Sequence, residues 1–230
     1  MKGNDRVVIL VLGETGAGKS QLGNAFLQMK NAFPTNNDFI NGGKAYMKHH
    51  TIDGITRYYI DTKGVDSNDE FEKEYNQELI SLIKNLEIGI NAFFIVINAQ
   101  NPRFNIEMQR KIKLLYNYYK ESKYLHQIGI IFTKCYPGHF EKEKLEIKYR
   151  EEILNYINNF STLDSINPRL PSFFVDSIMW DTDISTKNEF VKILDFALKN
   201  TPLSAKNIKK MINNDKGIDE KEPKIIEEKK

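Results

Sequence analysis

A chain of 230 residues, 40% hydrophobic and 28% charged, has the composition of an ordinary folded protein and enough length for one large core. Its 33 basic and 31 acidic side chains leave a formal charge of only +2, which argues against a nucleic-acid partner. The single cysteine, Cys135, excludes a disulfide framework within the chain and points to a reducing, cytoplasmic setting.

In chain order, the first element is RVVILVL (6–12), an apolar run of the kind buried in a parallel sheet. GETGAGKS (13–20) follows it directly, and QLGNAFLQM (21–29) continues as a helix. A signal peptide is the weaker reading of this start, because its removal would take the glycine-rich octapeptide with it. AYMKHHTI (45–52) and TRYYID (56–61) are strands separated by Asp53-Gly54, a hairpin turn, so this pair is expected to be antiparallel. NAFFIVIN (91–98), IGIIFT (128–133) and PSFFVDS (171–177) complete the strand candidates.

Three helical stripes lie among and after these strands. Phe104, Met108, Ile112, Leu115 and Tyr119 recur at spacings of three or four, as do Leu145, Tyr149, Ile153, Tyr156 and Phe160. Phe190, Ile193, Leu194 and Ala197 repeat the pattern. All three read as core rather than as ligand surfaces. Alternating strands and helices predict an α/β fold: six mostly parallel strands, one antiparallel, with helices on both faces. The domain is expected over 1–201. The extension 202–230, with eight lysines and six acids after Pro202-Leu203, reads as a frayed helix or disordered tail. Its stretch from Lys206 to Ile212 leaves peripheral membrane contact open. No apolar run approaches the roughly 20 residues of a membrane span, and neither end carries a lipidation signature.

Gly13-Glu14-Thr15-Gly16-Ala17-Gly18-Lys19-Ser20 fits G-x-x-x-x-G-K-[ST], the P-loop pattern. Glycines let backbone N–H groups turn inward around phosphates, where a side chain would intrude. Lys19 is expected on the β- and γ-phosphates, Ser20 on Mg²⁺, and Gln21 at the start of a helix whose positive end faces the anion. Asp61-Thr62-Lys63-Gly64 ends the third strand as D-x-x-G. In nucleotide switches the Asp supports Mg²⁺ through water and the Gly N–H meets the γ-phosphate. Lys19, Asp61 and Gly64 are therefore the catalytic candidates, and Ser20 and Asp61 the metal candidates.

GKSQLGNAFL resembles the GKSxxGNxxL of AIG-type GTPases, the immunity-associated nucleotide-binding family. Gly89-Ile90-Asn91-Ala92, an apolar strand, and then Arg103-Phe104-Asn105 are similar to that family's own box. The resemblance extends in order from about residue 6 to residue 200. It implies a Ras-like P-loop G domain related to septin and chloroplast-import GTPases. It also implies GTP or GDP with Mg²⁺ as ligands, slow hydrolysis of GTP, and association of copies through the nucleotide face.

Three departures qualify that expectation. A guanine-specific switch reads [NT]-K-x-D at the end of the fifth strand, and here Thr133 and Lys134 are followed by Cys135 and Tyr136. The acidic reader of guanine N1–H and N2–H is missing. Asp176, followed by Ser177 at the end of the sixth strand, either replaces that carboxylate or caps a turn. Chloroplast-import relatives look similar in carrying an acidic residue in this later loop. Tyr136 and Trp180 are candidates to flank the base, or surface packing. Second, Gly42-Gly43-Lys44 stands where a switch threonine is expected; Thr35 is early and Thr51 late. Third, Val65-Asp66 follows D-x-x-G in place of a glutamine that orients water, so intrinsic hydrolysis is expected to be slow. Arg103 is a candidate charge donor in trans or a structural part of its box.

His49, His50, His126 and His139 show no metal-ligand spacing, and Cys135 has no evident catalytic partner. The leading reading is a guanine-nucleotide switch. The alternatives are a nucleotide-locked oligomerising scaffold and an adenine-nucleotide ATPase.

Overall fold

The computed structural model describes residues 6–35, 45–62, 69–119, 122–136, 140–161 and 169–204. The expected alternation is present. Strand β1 (Arg6–Gly13) leads into helix α1 (Lys19–Phe26), then β2 (Tyr46–Ile52), β3 (Ile55–Asp61) and α2 (Asp69–Asn85). After these come β4 (Ala92–Asn98), α3 (Ile106–Tyr119), the short α4 (Ser122–His126) and β5 (Ile128–Thr133). Helix α5 (Lys142–Asn158), β6 (Ser172–Phe174) and α6 (Ile184–Lys199) complete the order.

The strands form one sheet in the order β2-β3-β1-β4-β5-β6, with only β2 antiparallel to its neighbour. Asp53 (φ 51°) and Gly54 (φ 78°) make the two-residue turn between β2 and β3. Both positions need positive φ, which is why Asp-Gly marked the hairpin.

Strand β1 is buried on both faces, and its alternate residues feed two cores. Val8, Leu10 and Leu12 pack with Leu79 and Ile83 of α2, Met108 and Ile112 of α3, and Ile153 of α5. Val7, Ile9 and Val11 pack with Leu22 and Phe26 of α1 and Ile193 and Ala197 of α6. The continuous apolar run follows from this: a central parallel strand covered by helices on both sides has no solvent face.

Strand β6 is shorter than the expected 171–177. Phe174 N–H donates to Glu189 Oε2 at 3.2 Å and Asp176 N–H to Thr186 Oγ1 at 3.0 Å. Side chains of α6 thus satisfy backbone donors on the edge of β6 that faces away from β5, while Val175 N–H still donates to the Phe132 carbonyl at 2.9 Å.

The Gly89–Ala92 box lies at the opposite pole, beneath β1 and β4. Asn91 Oδ1 accepts from Val8 N–H at 2.9 Å, and Asn91 Nδ2 donates to the Asn200 carbonyl at 3.1 Å. Ile90 and Leu203 exchange backbone hydrogen bonds of 2.9 and 2.8 Å. Gly89 has φ 71°, and a Cβ there would stand 2.8 Å from the Leu203 carbonyl oxygen, so glycine is required twice over. The stretch just beyond residue 201 thus begins docked, with Leu203 5% exposed. No helix among the described residues is long and apolar enough to cross a membrane.

Candidate functional site

The carboxyl ends of β1, β3, β4 and β5 meet at one pole of the sheet. Register places Asp61 beside Val11, and Gly13 beside Val96. Open α/β sheets bind ligands at this edge, where connections leave a central strand in opposite directions.

Between β1 and α1 the chain makes a tight loop, closed by Ala17 N–H to the Glu14 carbonyl at 3.1 Å. Gly18 caps α1 in the left-handed region at φ 90°, and a Cβ would stand 3.4 Å from Thr133 Oγ1. Lys19 is 6% exposed, and its Nζ donates to the carbonyls of Gly13 and Glu14 at 3.0 Å each. Burial lowers its pKa to about 8, with Asp61 opposing part of that shift. The Tyr59 hydroxyl donates to the Lys19 carbonyl at 2.5 Å, tying the first turn of α1 to β3.

Ser20 Oγ donates to Asp61 Oδ2 at 2.6 Å. The second oxygen, Asp61 Oδ1, is buried and has no partner among the described residues. Burial raises the Asp61 carboxyl above its ordinary pKa, while Lys19 and Ser20 pull it back. A hydroxyl beside a carboxylate with a free buried oxygen fits Mg²⁺. That ion takes one or two protein oxygens and completes its octahedron with water and substrate phosphates.

The end of β5 closes over the same loop. Thr133 Oγ1 donates to the Ala17 carbonyl at 2.6 Å, and Lys134 Nζ to the Gly16 carbonyl at 3.0 Å. Lys134 itself sits at φ 55°, and Tyr136 N–H turns back to its carbonyl at 2.9 Å. Cys135 lies half-buried beneath, and burial pushes its thiol up to about 12, so it is not a nucleophile at neutral pH.

The loop after β6 forms the remaining wall. Asp176 Oδ1 accepts from Ile178 N–H at 3.1 Å, so one oxygen caps a turn. Its Oδ2 has no hydrogen bond among the described residues. Ser177 is buried with its Oγ unpartnered among those residues, and its carbonyl accepts from Gln21 Nε2 at 3.2 Å.

These segments enclose a cleft of about 340 Å³, within the range of small-ligand sites. Gly16, Gly18, Lys19, Ser20 and Gln21 line one side, and Thr133, Lys134, Asp176 and Ser177 the other. Gly13, Glu14 and Ala17 stand behind it, offering carbonyls to Lys19 and Thr133. Thr15 is exposed at the loop crest. Gly64 lies outside the described residues, as do Val65, Asp66, His139 and Gly42-Gly43-Lys44.

Thr35 lines the cleft, whereas Thr51 hydrogen-bonds Thr56 beside the hairpin. Thr51 is thus about 17 Å along the sheet from Asp61, at ~3.3 Å per residue. Tyr136 and Trp180 do not line the cleft. Ile178, which sequence reasoning passed over, does, and is 61% exposed. Its only signal was its place after Asp176-Ser177. Arg103 pairs in cis with Glu14 of the phosphate loop at 3.4 Å, and Asn105 donates to the same oxygen. His50 Nδ1 meets the Leu27 carbonyl and His49 packs on Tyr58, both structural contacts.

This arrangement defines a P-loop nucleotide-binding fold of the G-domain type. The chain matches the AIG1 family over residues 7–160 and belongs to that family. No curated protein sequence matches it. Among solved structures it is similar to Toc33 from Arabidopsis thaliana in complex with Mg²⁺ and GMPPNP. That likeness has 16% identity over 86% of this chain and 87% of that one, with a TM-score of 0.65. Toc33 with GDP and Mg²⁺ is similar at 15% identity, 86% coverage of each chain and a TM-score of 0.63. A third structure carries the finding that dimerisation is important for the GTPase activity of the chloroplast translocon components atToc33 and psToc159. It shares 15% identity over 85% of this chain and 82% of that one, with a TM-score of 0.66.

Proposed function

We propose that this protein is a guanine-nucleotide-binding switch that holds GTP or GDP with Mg²⁺ and hydrolyses GTP slowly. One observation carries the reading. The phosphate loop, the Thr133-Lys134 strand end and the Asp176-Ser177 loop share one cleft and are hydrogen-bonded to one another. Membership of the AIG1 family supports it, as do the guanine nucleotides bound by Toc33.

The chemistry is phosphoryl transfer to water, achieved by position and charge. Lys19 moves its donors from the Gly13 and Glu14 carbonyls to phosphate oxygens. Ser20 and Asp61 are the residues that would hold Mg²⁺, which would supply positive charge against the phosphates when bound. Gly64 N–H senses the γ-phosphate. Lys134 lies along the base, and Asp176 Oδ2 accepts from the guanine edge in place of the carboxylate missing at Tyr136. Val65 cannot orient water, so the rate depends on a group supplied by a second copy across the nucleotide face. The dimer dependence of the Toc components supports that step.

Competition of GTP and ATP for the purified protein tests the base. A preference for GTP of at least tenfold is expected; equal binding overturns the guanine reading. Single-turnover hydrolysis at several protein concentrations tests the switch. Rates that rise with concentration are expected. No hydrolysis at any concentration favours a nucleotide-locked, oligomerising scaffold, the reading that Val65 motivates. The single cysteine supports a reducing, cytoplasmic setting.

A further inference from the structure

The loop that follows β6 is irregular, yet its backbone is tied down at successive residues. Val175 N–H donates to the Phe132 carbonyl at 2.9 Å and the Val175 carbonyl accepts from Cys135 N–H at 3.3 Å. Two further ties come from side chains outside the loop. Asp176 N–H donates to Thr186 Oγ1 at 3.0 Å, and the Ser177 carbonyl accepts from Gln21 Nε2 at 3.2 Å.

Thr186 is 2% exposed and sits in the first turn of α6. Its own N–H donates to Asp183 Oδ2 at 2.8 Å, so the hydroxyl is carried by a capped helix end. Gln21 stands next to Ser20 on α1 and reaches across 156 residues of sequence to the far wall of the cleft. One tie references the loop to the α6 face of the sheet, the other to the helix that holds the phosphates.

Reading a base edge requires acceptors held to within about half an ångström by surroundings that are themselves locked. A buried amide that loses its acceptor also leaves an uncompensated donor, so the loop would move to find another. We propose that Thr186 and Gln21 are positioning residues for base selection. They hold the Asp176–Ile178 loop at a set distance from the phosphate loop and so determine how sharply the cleft separates guanine from adenine. This inference rests on the guanine reading above.

The test is the ratio of ATP to GTP dissociation constants for wild type, Thr186→Val, Thr186→Ser and Gln21→Leu, each checked for folding by its thermal transition. Thr186→Val preserves shape and removes the acceptor. It is expected to weaken GTP binding about tenfold, the worth of one buried hydrogen bond, while ATP binding changes less than twofold. Thr186→Ser is expected to restore the wild-type ratio, which a purely structural role would not require. Gln21→Leu is expected to lower the ratio as well, and it decides the matter if Thr186→Val does not fold. A wild-type ratio near one overturns the guanine reading and this inference together. A wild-type preference for GTP that survives intact in the folded variants overturns this inference alone.

Discussion

Lys134 Nζ donates to the Gly16 carbonyl at 3.0 Å, joining the end of β5 to the phosphate loop across 118 residues of sequence. Lys134 also lines the cleft, so it braces the loop from within the candidate site. Lys134→Ala is expected to weaken GDP binding about tenfold, the lower end for a hydrogen bond from a charged donor that is partly open to water. Titration with a fluorescent GDP analogue measures it, and a loss under twofold contradicts the bracing role.

Ser20 and Asp61 make a different kind of pair, because one carboxylate oxygen is buried without a partner among the described residues. Ser20→Ala and Asp61→Asn are each expected to raise the Mg²⁺ concentration for half-maximal GTP retention by about tenfold or more. Asp61→Asn is expected to leave the nucleotide-free protein at least as stable, since it removes a buried charge that burial already disfavours. A fall in its unfolding temperature would contradict that account.

The depressed pKa of Lys19, about 8, has a pH signature in binding. Phosphate favours the ammonium form, so the bound state holds more protons than the free state wherever free Lys19 is neutral. Nucleotide affinity is therefore expected to be flat below about pH 7 and to fall through pH 8 and above, by at most about tenfold per pH unit. In the free protein the sign is opposite. The unfolded chain binds the extra proton between pH 8 and 10.5, so the Lys19 contribution to stability rises with pH across that window. Calorimetric titrations from pH 6 to 9.5 check the binding half; an affinity independent of pH contradicts it.

Asn24 explains the second part of GKSQLGN. Its side chain, 1% exposed, accepts from Phe33 N–H at 2.7 Å and donates to the Phe33 carbonyl at 2.9 Å, clamping the chain that leaves α1. Asn24→Ala removes both bonds and strands two buried backbone groups, an expected loss of about 2–3 kcal/mol. Urea unfolding measures it, and a loss below about 1 kcal/mol would mean that the loop finds other partners.

Much of the architecture was legible along the chain because period and punctuation have local causes. The run 6–12 has no polar face because β1 is covered on both sides, and Asp53-Gly54 supplies the two positive φ values its hairpin needs. The apolar pattern over 171–177 runs past β6 because composition does not record where pairing with β5 ends: Val175 still bonds to Phe132, whereas Asp176 and Ser177 turn to the side chains of Thr186 and Gln21.

By itself the sequence determined which chemical groups the protein owns. Spacing within a turn of chain is enough to make a phosphate loop, a D-x-x-G strand end and amphipathic helices, since each depends on neighbours within a few residues. The tertiary structure decided what those groups face. It set the α1 side chain of Gln21 against the Ser177 carbonyl, turned Arg103 onto Glu14, and gave one Asp176 oxygen to a turn while leaving the other free of partners among the described residues. Those outcomes depend on how strands from distant parts of the chain stack at one edge, and no local pattern encodes the order in which they do so.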